Sequence, residues 1–238
     1  MNKILHPAAT RGNANYGWLQ AKYSFSFANY FDPNRLQFGS LRVLNDDVIA
    51  PGMGFGTHPH KNMEIVTIPQ EGAVKHEDSM GNHGIVSAGD IQVMSAGSGV
   101  EHSEFNASKT ESLKLFQIWL FPEKDEVSPR YDQKEIAPLL TPNTFSPVVK
   151  PRSEASEDEL WIHQQAYFHI GDFTEKRTTN YSIKQPNNGI YLMVIEGSVV
   201  VDDETLNSRD AIGVWDTKEV SLSVTQGSRL LLIEVPMN

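Results

Sequence analysis

Glu64-Ile-Val-Thr-Ile-Pro-Gln-Glu71-Gly72 is a short apolar run that ends on a glycine, and its reading sets the architecture. Runs of this length, rich in Val and Ile and bounded by turn formers, read as strands. The closing glycine permits a tight turn. The pattern returns as Ile190-Tyr-Leu-Met-Val-Ile-Glu196-Gly197. Eighteen residues after Gly72 comes Asp90, ahead of Ile91–Met94, and thirteen after Gly197 comes Asp210, ahead of Ala211–Trp215. The two halves therefore read as loose copies of one unit.

Leu230–Val235 has the same texture, and Val220, Leu222 and Val224 alternate with serines as in a half-buried strand. Leu113–Phe121 is apolar on both faces except at Lys114 and Gln117, which predicts a central strand with cover on each side. The fold class is all-β. Six of the thirteen prolines fall between Pro122 and Pro151, so that stretch is expected to be an irregular connection. The acidic run Glu154–Glu159 reads as a solvated turn or helix face.

The chain of 238 residues is long enough for one large β domain or two smaller ones. Its net charge is −10, and no Lys/Arg cluster stands out, which argues against nucleic acid as a partner. The absence of cysteine removes disulfides, thiolate zinc sites and cysteine nucleophiles. The first twenty residues lack a secretory h-region, and no apolar run is long enough to span a bilayer, so the expected location is the cytoplasm.

Two short motifs carry the chemistry: His58-Pro59-His60 and His102-Ser103-Glu104. On a strand, residues i and i+2 share a face, so two such pairs on adjacent strands can close on one ion. Three imidazoles and a carboxylate suit a first-row divalent metal such as iron, nickel, copper, zinc or manganese. Four protein ligands leave coordination positions open on a six-coordinate ion. Glu64 has the same parity as His60 and competes with Glu104 for the carboxylate place. His6, His76, His83, His163 and His169 read as surface or hydrogen-bonding histidines. The glycines before each motif (Gly52, Gly54 and Gly56; Gly97 and Gly99) read as tight turns and close backbone approaches. No histidine follows His169, and the position matching His60 in the second half is Gln185, so only the first half can hold this ligand set.

Gly52 through His58-x-His60, Glu64 and Gly72 resembles the first cupin motif. Gly89 through Ser95-x-Gly97, His102 and Asn106 resembles the second. The runs Gly56-Thr-His-Pro-His-Lys-Asn-Met-Glu64, His76-Glu-Asp-Ser-Met-Gly81 and Ser95-Ala-Gly-Ser-Gly-Val-Glu-His-Ser-Glu104 are similar to the pirin family, closest to its bacterial quercetin dioxygenase-like members. The resemblance implies two cupin-type β-barrels, a jelly-roll-like bicupin. Residues 1–135 would hold the metal-binding N-terminal barrel and the start of the linker, and 136–238 a C-terminal barrel without ligands. It implies one metal per chain on His58, His60, His102 and Glu104, iron(II) first, with nickel, copper, manganese, cobalt or zinc as alternatives. It implies a dioxygenase that cleaves flavonols such as quercetin with dioxygen and releases carbon monoxide, with Glu104 as general base. Other members act as regulatory proteins through a protein partner, and other cupins are oxygenases or isomerases. Phe38, Phe55 and Met94 are candidates for an apolar pocket wall, with plain core residues as the equal alternative for each.

Overall fold

The computed structural model describes residues 1–237. Apart from two short 3-10 turns, its regular elements are strands. The run from Glu64 forms the strand Glu64–Glu71, and Gly72 turns the chain at φ +79°. Its counterpart is Asn188–Glu196, followed by Gly197 at φ +80°. The aspartates recur as well. Asp90 accepts a hydrogen bond from the Ser87 N–H, and Asp210 accepts one from the Asn207 N–H, each three residues back and each 2.9 Å long. The repeat is thus matched down to its turn chemistry.

Each half is a jelly roll of a seven-stranded and a four-stranded sheet, not a closed barrel. In the first half Leu113–Leu120 lies between Glu64–Glu71 and Leu41–Ile49, the central position its apolar faces predict. Alternation then divides its side chains. Phe116, Ile118 and Leu120 join Leu44, Val66 and Ile68 in a core shared with Phe168, Ile170, Leu231 and Ile233 of the second half. Gln117 and Trp119 point the other way, into a cavity between the two sheets of the first half.

The proline-rich connection is more regular than expected. Arg130–Glu135 pairs with Asp90–Ser95 at a sheet edge, and Phe145–Pro151 pairs with Tyr167–Phe173. The prolines sit where a missing N–H costs little: Pro129 just before a strand, Pro138 in the first turn of a 3-10 helix, and Pro147 at a register shift. The acidic run Glu154–Glu159 forms turns. The first strand, Asn2–His6, crosses to the second half and pairs with Ala211–Trp215. No helix among the described residues is long and apolar enough to cross a membrane.

Candidate metal centre

Gly54–His60 and Val100–Asn106 are antiparallel neighbours, and His58 stands directly opposite His102. His60 follows two residues on, so it shares the face of His58. The three rings gather, with centroids 4.5 Å apart for His58 and His102 and 4.9 Å for the other two pairs. One ring nitrogen of each lies within 4.8 Å of those of the other two. Glu104, two residues after His102, lines the same cavity.

Glu64, the rival carboxylate, shares the sheet face of Val66 and Ile68, away from the cavity. The strand carrying His60 ends there, and Glu64 begins the next one, so parity does not carry across the turn. Its carboxylate accepts a hydrogen bond from Ser95 Oγ at 2.7 Å.

The donor set suits a cation. Both ring nitrogens of buried His102 lack a hydrogen-bond partner within the chain. His58 Nδ1 lies 2.8 Å from the Gly56 carbonyl oxygen, which can only accept. That bond keeps the proton on Nδ1 and leaves the Nε2 lone pair free. Burial, reinforced by the neighbouring imidazoles, lowers His102 to about 2, and burial with His58 lowers His60 to about 4. Both rings are therefore neutral near pH 7, the state in which an imidazole binds metal.

Glu104 is buried and held by two side chains from the adjoining sheet. Gln117 Nε2 donates to Oε2 at 2.7 Å, and the Thr67 hydroxyl lies 3.2 Å from Oε1. Burial raises its carboxyl to about 7, against the pull of those hydrogen bonds. His76 is fully buried rather than at the surface, stacks on Tyr131 at 4.5 Å, and lies 3.2 Å from Asp78 through Nε2. It also approaches His102 and Glu104 closely enough to form a second potential ligand group with them.

The cavity measures about 240 Å³. Of the three candidate wall residues Phe55 lines it, while Phe38 and Met94 are core residues, the alternative reading. Phe38 packs on Tyr191 and Trp215 in the core between the halves. Met94 lies one layer back, in a cluster with Ile65 that packs against Trp119. The walls are instead Tyr23, Phe27, Phe55 and Trp119, with Asn45 and Asp47 among them. Gln117 was visible in the sequence as a polar interruption of an apolar strand. Asn45 and Asp47 left the same signal, polar residues two apart within Leu41–Ile49.

Two open jelly rolls in tandem, the first holding a cavity lined by three histidines and a glutamate, define the class as a two-domain cupin. The Pirin family model matches residues 6–120, and the model of the Quercetinase C-terminal cupin domain matches residues 152–235. The chain belongs to the pirin family. A protein named quercetin 2,3-dioxygenase from Escherichia coli (strain K12) is 40% identical over 232 residues, covering 98% of each chain. A pirin-like protein of Caulobacter vibrioides is 39% identical over 223 residues, 94% of this chain and 95% of its own. Among solved structures, the bacterial pirin YhhW from Escherichia coli in complex with nickel(II) matches with a TM-score of 0.92 at 39% identity, covering 100% of both chains.

Proposed function

We propose that this chain is a metal-dependent dioxygenase of flavonols such as quercetin, with one divalent metal on His58, His60, His102 and Glu104. The observation that carries the reading is the convergence of three histidines on a cavity walled by aromatic rings. The relatives named quercetin 2,3-dioxygenase support the substrate class. The nickel(II) complex of YhhW supports a divalent metal, and iron(II) remains the metal we propose first.

The metal would act as a Lewis acid on a substrate oxygen and offer dioxygen a place to react. The chain's own residues do the rest. The Gly56 carbonyl fixes the tautomer of His58 and so the atom it presents. Tyr23, Phe27, Phe55 and Trp119 give a flat ring system apolar surfaces and keep bulk water from it. Glu104 takes the proton of the flavonol 3-hydroxyl, a role open to a carboxylate that lines the cavity beside the histidines. Gln117 and Thr67 hold that carboxylate in place while it does so.

The test is aerobic incubation with quercetin after loading with iron, nickel, copper or manganese. Loss of the visible absorbance together with carbon monoxide release is expected. Absence of both with all four metals would sink the proposal.

A further inference from the structure

The cavity contains polar groups that neither the fold nor the proposed ligand set uses. Asn45 and Asp47 lie two apart on the strand Leu41–Ile49 and both line the cavity. They are 3% and 4% exposed, yet Asn45 Oδ1 and Asp47 Oδ1 have no hydrogen-bond partner. Across the sheet Asp47 stands between Ala21 and Leu115, which offer it nothing polar. A buried acceptor left unsatisfied costs about 1–3 kcal/mol. Two of them on one strand of the cavity wall, facing the aromatic rings, imply a partner that arrives from outside.

The second half supplies an internal control. Counted back from the paired glycines Gly72 and Gly197, Thr67 corresponds to Leu192. Strand pairing then carries Gln117 to Leu232, Asn45 to His169 and Asp47 to Gly171. There Leu192 and Leu232 sit in an apolar core, and the His169 ring packs on Tyr181, although its Nδ1 also lacks a hydrogen-bond partner. The same framework thus places leucines where the first half has Thr67 and Gln117. The first half keeps a cavity and places unpaired acceptors on its wall.

We infer that Asn45 and Asp47 are specificity-determining residues that accept hydrogen bonds from the ring hydroxyls of a planar polyhydroxylated aromatic ligand. The ligand would lie between the aromatic walls, with its chelating edge toward the histidines. This deepens the flavonol reading and rests on it for the ligand's orientation.

Binding separates this inference from turnover. The metal-loaded protein is titrated under argon with quercetin and with 3-hydroxyflavone, which keeps the chelating edge but lacks the other hydroxyls. Quenching of tryptophan fluorescence gives each Kd. The wild type should prefer quercetin, and Asp47→Leu or Asn45→Leu should each shrink that preference by about 10-fold, as loss of one buried hydrogen bond does. Asp47→Asn keeps an acceptor oxygen and should retain most of it. Should Asp47→Leu fail to fold, Asn45→Leu carries the same comparison. An equal preference in wild type and leucine variants, or no binding of either flavonol, overturns the inference. A shrunken preference without quercetin turnover would leave it standing while the dioxygenase reading fell. Turnover with an unmoved preference would do the reverse.

Discussion

Glu104 owes its orientation to Gln117 and Thr67, and the histidines owe theirs to strand pairing, so different residues should fail in different ways. His102→Ala should abolish bound metal and flavonol turnover together, measured by elemental analysis and oxygen uptake. Gln117→Leu should leave the histidines in place and lower metal affinity about 10–100-fold, the usual cost of losing such a supporting contact. An unchanged affinity would mean that Gln117 does not hold the ligand. Asp47 gives a pH signature. Its ordinary value is 3.8 and its folded value about 8. Between these values the unfolded chain binds fewer protons at this site, so its contribution to stability falls as pH rises. Asp47→Asn removes that term. Its stability relative to wild type should rise from about pH 4 to about pH 8 by on the order of a few kcal/mol, read by chemical denaturation. A flat difference would mean that Asp47 ionises normally. The histidine motifs were legible in the sequence because their spacing is local. The walls formed by Tyr23, Phe27 and Trp119 were not, because only strand pairing brings them across from the histidines.

At the scale of the element, the centre depends on how closely two strands approach. A Cβ on Gly54 would overlap the carbonyl oxygen of Glu104 and the Cα of Phe105. These are backbone atoms of the strand that carries His102, so they cannot swing aside. Gly56, two residues on, has open space around the same position. Gly54→Ala should therefore cost about 1–3 kcal/mol, as overpacking does, and lower metal uptake with it. Gly56→Ala should stay within about 0.5 kcal/mol of wild type. Thermal unfolding beside metal content checks both, and equal behaviour of the two variants would refute the argument. The sequence predicted turns and close approaches for these glycines without telling which was which. The distinction needs the partner strand, some fifty residues away. The same limit applied to Glu64. It shares the parity of His60 along the chain, but the turn between two strands resets which face it meets.

At the scale of the molecule, the two halves share their largest core. Leu44, Val66 and Phe116 from one seven-stranded sheet pack with Phe168, Leu231 and Ile233 from the other. The strand Asn2–His6 adds to this by pairing across the halves, and His6 lies 3.0 Å from the Tyr191 hydroxyl. The repeat was readable because each copy carries its own turn signals. The crossing of the first strand was not, since its partner lies some two hundred residues away and nothing local marks it. We propose residues 1–135 and 136–238 as the two units, yet the first should not stand alone. Expressed as 1–135 it would expose the apolar face of its large sheet and leave Asn2–His6 without a partner. Contiguous apolar patches of that kind drive association. The fragment should aggregate or melt without a cooperative transition and bind a hydrophobic dye, although it contains every proposed metal ligand. A soluble 1–135 with a sharp melt and one bound metal would show instead that the second half is dispensable to the site. The contrast matters for function, because a second half that binds no metal would then contribute by covering the back of the sheet whose other face carries Asn45, Asp47 and Gln117.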